Sequence, residues 1–251
     1  KAFFSYLENP ENWMELFNRP IINKTFDPFY LAQLKKSNLY KKYCQYGMNH
    51  HAILDDEYSF NLPFLKVKNI KVIRPPLKDD NTYNYEAYQN KVVNSLVPLE
   101  IIFRIGLPAG NSLSKRLGTN ISKWKEFGFD RIPNNNELLK IPFVDFSTKL
   151  ERGDRYIDYS EAKKIAGLSE SEWKELNELT QLMALNLFYI HNQMELELWD
   201  GKIEVAFVQN EDESRSFMLV DSVGIDELRL LYGGKSFSKE FLREVYKNSD
   251  W

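Results

Sequence analysis

Residues 198–207 alternate between two faces, and this constrains the chain more than any other feature. Asp200, Lys202 and Glu204 fall on one side, Trp199, Ile203 and Val205 on the other. A period of two belongs to a β-strand with unlike faces. The polar run 209–216 (QNEDESRS) supplies a turn, and Phe217-Met-Leu-Val-Asp221 a second strand. A hairpin symmetric about residues 212 and 213 places Val208 opposite Phe217 and Glu204 opposite Asp221. Opposed strand residues hold their Cβ atoms about 4.5–5.5 Å apart. Two carboxylates that close repel unless a cation lies between them, and Mg²⁺ held by one or two carboxylates plus phosphate oxygens is the usual solution in phosphoryl-transfer sites. The competing reading is an exposed strand face in a chain with 27% charged residues. Spacing alone does not choose between the two.

The chain has 251 residues, 43% hydrophobic and 14% aromatic, enough for one large domain or two lobes with a sizeable core. With 33 basic and 36 acidic residues the net charge is −3. That balance argues against a nucleic-acid or membrane surface. No apolar run reaches the roughly 18–20 residues that span a bilayer. The single Cys44 rules out an internal disulfide and fits a reducing cytosol, so a cytoplasmic location is expected. The chain starts at Lys1 in mid-pattern (KAFFSYLENP), and residues preceding it are expected.

Along the chain, Asn9-Pro10 reads as a helix start, followed by Trp13, Met14, Leu16 and Phe17 and stopped by Pro20. A second helix is predicted over about 28–46. Residues 63–74 alternate and predict strands, 96–105 predict a strand rich in β-branched and aromatic residues, and 141–146 another. The strongest helix signal covers about 170–194. Ser169 and Glu172 make a capping box, and Trp173, Leu176, Leu179, Met183, Leu187 and Ile190 make one apolar stripe. Ser238 is read as the cap of a last helix with Phe241, Leu242 and Val245 inward. Strands and helices mix without regular alternation, which predicts an α+β fold.

Two further segments could carry chemistry. Arg104 shares a strand face with Glu100 and Ile102, and is followed by a glycine turn and a helix start bearing Ser112, Lys115 and Arg116. Helix N-termini offer free N–H groups to anions, and basic side chains add charge. On sequence alone an ordinary surface loop is the simpler reading. The stretch 147–154 (STKLERGD) follows a buried strand, where polar residues often form sites, and a solvated turn is the simpler reading there. Adjacent His50 and His51 point apart in regular structure and do not suggest a metal centre.

Five segments, in this order, resemble the SAICAR synthetase family of purine biosynthesis. They are Val97-Pro-Leu-Glu100-Ile-Ile-Phe-Arg104, Gly110-Asn-Ser112-Leu-Ser-Lys115-Arg116-Leu-Gly118, Phe146-Ser-Thr-Lys149-Leu-Glu151, Asp200-Gly-Lys202-Ile-Glu204, and Leu219-Val-Asp221-Ser-Val-Gly-Ile-Asp226-Glu-Leu-Arg229-Leu. The resemblance implies a two-lobe α+β fold with a nucleotide cleft. It implies an ATP-dependent ligase joining L-aspartate to 5-amino-1-(5-phosphoribosyl)imidazole-4-carboxylate, with ADP and phosphate released. ATP and Mg²⁺ are the implied cofactors. The partners are small-molecule substrates, compatible with a homo-oligomer. Glu204 and Asp221 are implied as Mg²⁺–ATP ligands and Lys202 as a nucleotide contact with a catalytic role. Glu100, Arg104, Ser112, Lys115 and Arg229 are implied for the ribonucleotide, and Lys149 and Asp154 for a position near the reacting groups. An incomplete N-terminal lobe is expected over 1–95, and a lobe with the ATP–Mg²⁺ and substrate motifs over 96–251.

Three departures from the family pattern stand out. The glycine-containing strand lobe that covers ATP is not found ahead of these motifs. Ser222 stands where an acid follows Asp221. The loop usually reading Gly-Asp/Glu-His-Asp-Glu is Gly153-Asp-Arg155-Tyr-Ile-Asp158. The changed loop points to a divergent branch using a related carboxylate or amine. Two other readings are a nucleotide-binding protein without ligase activity and a kinase that stops at phosphoryl transfer.

Overall fold

A computed structural model describes residues 1–54, 64–238, 241 and 245–247. Five short helices lead the chain: α1 (Ala2–Glu8), α2 (Pro10–Met14), α3 (Pro20–Thr25), α4 (Pro28–Lys35) and α5 (Asn38–Tyr46). Asn9 caps α2, its side chain accepting from Glu11 N, with Pro10 at the first helical position. The helix predicted over 28–46 is two helices. Ser37 is extended and its hydroxyl accepts from Tyr40 N, so the chain stops and restarts there.

Strands β1 (Ala52–Ile53) and β2 (Lys66–Val67) form a small ribbon, with little of the strand structure predicted over 63–74. The main sheet contains β3 (Ser95–Leu96), β4 (Leu99–Leu107), β5 (Glu137–Thr148), β6 (Tyr156–Ile157), β7 (Glu197–Gln209), β8 (Arg215–Val220), β9 (Leu228–Tyr232) and β10 (Lys235–Ser236). Its order is β10-β9-β7-β4-β5-β6, with β3 and β8 also paired to β7. Among the described residues these strands pair antiparallel throughout. Between β4 and β5 lie α6 (Ser112–Leu117) and α7 (Ile121–Glu126), and between β6 and β7 lie α8 (Tyr159–Ala166) and α9 (Glu170–Asn192). This mixture is the α+β class expected.

Helix α9 forms where predicted, with both arms of the Ser169–Glu172 capping box in place. Its residues Leu176, Leu179, Met183 and Leu187 share one buried core with Ile101, Phe103 and Ile105 of β4 and Ile203, Val205 and Phe207 of β7. That packing commits one face of the sheet to the core. By alternation, Glu100, Ile102 and Arg104 of β4 and Asp200, Lys202 and Glu204 of β7 emerge on the other. Gly201 lies on the packed side, where an added Cβ would stand 2.5 Å from Leu228 and 2.6 Å from Phe103. Only glycine lets these strands approach so closely.

Two expectations need correcting. The hairpin register is one residue off: Glu204 pairs with Val220, Phe207 with Phe217 and Val208 with Ser216. The turn closes tightly around Asp212, whose side chain accepts from Ser214 N at 3.0 Å, while Glu213 takes a left-handed φ of 63°. The predicted last helix falls largely outside the described residues, Leu242 included. Phe241 and Val245 are exposed, not inward.

Candidate active site

Three neighbouring strands deliver the functional side chains. In the register, Arg104 lies opposite Asp200 and Ile102 opposite Lys202, while on the other flank Ile102 lies opposite Asp145 and Glu100 opposite Ser147. Directly paired residues share a face. The uncommitted face of the sheet therefore gathers acids and bases from β4, β5 and β7.

The first cluster is an alternating chain of charge. Lys202 Nζ donates to Glu100 Oε1 at 2.8 Å, and Lys149 Nζ to the same oxygen at 2.9 Å. Lys149 Nζ also stands 2.6 Å from Glu204 Oε1. Burial alone would raise the Glu100 carboxyl, but the hydrogen bonds from Lys202 and Lys149 outweigh it and hold it below the usual carboxylate range. Burial would likewise lower Lys149, and the close carboxylates of Glu204 and Glu100 reverse that and raise it. Glu204 behaves differently. Burial raises it, Lys149 opposes, and the contacting Asp221 pushes it up again, leaving it above the usual range.

Asp221 reaches Glu204 by an irregular route. It lies one residue beyond the partner of Glu204, where regular alternation would send its side chain to the opposite face. A left-handed φ of 62° turns the chain there, and the two carboxylates come into contact. A buried carboxyl pushed up by a like-charged neighbour is a pair short of positive charge. An oxygen-liganded divalent cation fits that donor set.

The second cluster surrounds Arg104. Its Nη2 donates to Asp145 Oδ2 and Ser112 Oγ, both at 3.0 Å, and its Nη1 to Asp200 Oδ2 at 3.3 Å. Arg116 pairs with the same Asp145 oxygen, and its guanidinium lies 3.9 Å from the Tyr156 ring centre. Tyr156 Oη and Ser112 Oγ share a hydrogen bond of 2.8 Å. Arg229 Nε stands 3.4 Å from Asp200 Oδ1 and its side chain is about one-third exposed. A cleft of about 280 Å³ opens over these groups, lined by Glu100, Arg104, Ser112, Tyr156, Lys202 and Arg229 among others. Because Arg104 is already shared between two aspartates and a serine, an anion entering the cleft meets Arg229 and Lys202 as the more available cations.

The structure thus brings together Glu100, Arg104, Ser112, Lys149, Lys202, Glu204, Asp221 and Arg229. Lys115 and Asp154 are exposed and do not line the cleft. On α6 both Lys115 and Arg116 lie within one turn of Ser112, but Arg116 is the one that meets Asp145 and Tyr156, while Lys115 is exposed. Of the changed loop, Tyr156 enters the cleft. Arg155 is tied outside it, 3.1 Å from Glu151 and 2.8 Å from Glu161. Sequence reasoning misses Asp145, which is fully buried. The available signal is a lone acid in the apolar strand IPFVDF, which demands a buried cation as partner. Ser238 also lines the cleft, its hydroxyl buried and without a hydrogen-bond partner among the described residues.

The fold and these two clusters define an α+β protein whose sheet face gathers basic side chains beside a pair of carboxylates. The chain belongs to the SAICAR synthetase family, whose description matches residues 46–251. A protein of Archaeoglobus fulgidus, provisionally named a phosphoribosylaminoimidazole-succinocarboxamide synthase, is 40% identical over 197 residues, 78% of this chain and 56% of that one. The phosphoribosylaminoimidazole-succinocarboxamide synthase of Thermoplasma acidophilum is 29% identical over 171 residues, 62% of this chain and 54% of that one. The chain spans a little over half the length of these curated relatives. Among solved structures, the synthase of Ehrlichia chaffeensis aligns with a TM-score of 0.55 at 20% identity, covering 84% of this chain and 71% of that one. A SAICAR synthetase solved in complex with ADP aligns at 0.53 and 21% identity, covering 84% and 69%. These likenesses show the fold.

Proposed function

We propose that this chain carries the substrate-binding and cation-binding machinery of an ATP-dependent carboxylate–amine ligase. The reaction joins L-aspartate to 5-amino-1-(5-phosphoribosyl)imidazole-4-carboxylate, giving SAICAR, ADP and phosphate. The observation that carries this reading is Lys149, which links the Glu100–Lys202 pair to the Glu204–Asp221 carboxylates on one sheet face. Among the described residues the cleft-lining side chains come from residue 100 onward, which supports a division of labour between residues 1–95 and 96–251.

A carboxylate resists attack by an amine. Its oxygen first attacks the γ-phosphorus of ATP, the bond to ADP breaks, and an acyl phosphate results. The amine nitrogen of aspartate then attacks the carbonyl carbon, phosphate leaves with the bonding pair, and the nitrogen loses a proton. No protein nucleophile is required, and rate comes from positioning and charge neutralisation. Glu204 and Asp221 would hold Mg²⁺, which neutralises phosphate charge. Lys149 and Lys202 offer ammonium groups where charge develops between the two substrates. Arg229 and Ser112 fit the phosphate and carboxylate of the ribonucleotide. A cytosolic setting suits small-molecule substrates and a single free Cys44.

The test is to supply the full protein with the ribonucleotide, aspartate and Mg²⁺–ATP, and to follow ADP and SAICAR together. Equal release of both is expected. ADP release that ignores aspartate would identify a kinase, and no release would leave a binding protein. One observation favours a variant of this reading, a related carboxylate or amine as substrate: Tyr156 of the changed loop lines the cleft.

A further inference from the structure

The left-handed turn that brings Asp221 to Glu204 is held from outside the sheet. Residues 49–51 run alongside β8: Leu219 N donates to Asn49 O at 3.1 Å and His51 N to Leu219 O at 2.9 Å. His51 O in turn accepts from Lys68 N at 2.8 Å. The backbone of His51 is therefore bonded on both sides, and its ring packs on Phe4 of α1, with centroids 5.5 Å apart. This places the imidazole just past the end of β8. There its Nδ1 accepts the backbone N–H of Asp221 at 3.1 Å. A backbone N–H can only donate, so Nδ1 carries the lone pair in this arrangement.

We propose that His51 is a positioning residue for the carboxylate pair: its Nδ1 holds the Asp221 backbone in the turn that presents the Asp221 carboxylate to Glu204, and so sets the affinity for a divalent cation. Two facts carry it. Asp221 directly follows a strand whose alternation, if continued, would turn its side chain away from Glu204, and the left-handed φ of 62° corrects this. The N–H at that turn is satisfied by the His51 ring. Like charges in contact push apart in the absence of a cation, so an anchor on the backbone keeps the pair assembled. Partners that orient a ligand in this way affect metal affinity by about 10–100-fold when removed. The inference rests on the reading of Glu204 and Asp221 as cation ligands.

The experiment uses the full protein with ADP at saturation and titrates Mg²⁺ by calorimetry, with Mn²⁺ as a paramagnetic probe of the same site. His51→Ala is expected to raise the Mg²⁺ concentration needed by roughly 10-fold or more. His51→Asn carries an acceptor oxygen near the place of Nδ1 and should recover most of the affinity. His51→Gln reaches too far and should behave like alanine. A merely structural role would instead lower the melting temperature of all three variants without separating Asn from Gln. Wild-type Mg²⁺ affinity in His51→Ala, or no difference between Asn and Gln, with Asp221→Asn still impaired, would overturn the His51 proposal alone. An unaffected Asp221→Asn would sink the cation assignment and the proposal with it.

Discussion

Arg104 and Asp145 form an ion pair of 3.0 Å with both side chains removed from water, 2% and 0% exposed. The pair sits beneath the cleft, and everything above it is oriented by what Arg104 and Asp145 do not give to each other. Asp145 also takes Arg116, and Arg104 also takes Ser112 and Asp200. The cleft therefore has a charged floor rather than an apolar one.

Removing one member of that floor leaves a buried charge without its partner. Asp145→Asn should destabilise the protein by roughly 3–5 kcal/mol, the usual cost of breaking a buried pair. Denaturant unfolding measures it. A loss below about 1 kcal/mol would show that water reaches the arginines when the acid is gone.

Arg229 should act on one substrate only. Its partly exposed guanidinium faces the cleft and contacts Asp200. A charge-assisted hydrogen bond contributes about 1.5–3 kcal/mol, so Arg229→Ala should raise KM for the ribonucleotide roughly 10- to 100-fold. KM for ATP should stay near its original value. A shift in the ATP constant with the ribonucleotide constant unmoved would assign Arg229 to the other ligand.

Neighbours on α6 should differ. Lys115 is exposed away from the cleft, while Arg116 lies over Tyr156 and against Asp145. Lys115→Ala should leave turnover and melting temperature close to wild type. Arg116→Ala should impair both, because it frees the Tyr156 ring and uncovers part of Asp145. Equal effects of the two substitutions on steady-state kinetics would contradict this placement.

Glu204 provides a pH test with a definite sign. Its folded carboxyl is raised, by burial first and then by Asp221, against an ordinary value of 4.5. A raised folded pKa means that its contribution to stability is fully present below the unfolded value and is lost as pH rises through the folded one. Glu204→Gln cannot ionise and should escape that loss. Without metal, the variant should gain on wild type as pH rises above about 4.5, even as it loses Mg²⁺–nucleotide binding. Thermal melts across pH 4–8, an interval chosen to bracket roughly that value, decide the matter. A variant that loses ground as pH rises would reverse the assignment.

Glu172 has the opposite sign. Burial would raise it, but bonds from Arg215, Lys91 and the Ser169 backbone hold it at about 2, against 4.5 ordinarily. Its contribution is present above the unfolded value and lost as pH falls through the folded one. Glu172→Gln should cost about 2 kcal/mol at neutral pH, within the range for charge-assisted bonds. The gap from wild type should close between pH 4.5 and about 2. A gap constant with pH would mean that the cost is packing and not charge.

The sequence by itself determined the parts that depend on local pattern. Helix α9 is legible from a capping box and one apolar stripe, because both are relations among residues three or four apart. The hairpin, and the shared face of Asp200, Lys202 and Glu204, are legible because alternation is a property of each strand alone. Order and spacing of five short segments were enough to point to the family. Only the tertiary structure decided how those parts meet. Register is set by how the turn around Asp212 closes, and one residue of difference moved Asp221 off the position opposite Glu204. Its return required a left-handed turn bonded to His51, 170 residues away in the chain. Asp145 gains its importance from Arg104 and Arg116, which reach it from another strand and a helix, and Lys115 stands outside the cleft while Arg116 contacts Asp145. Periodicity constrains which way a side chain points along one element. Which charges it then meets depends on contacts between elements, and those form only when the whole sheet is assembled and its other face is packed.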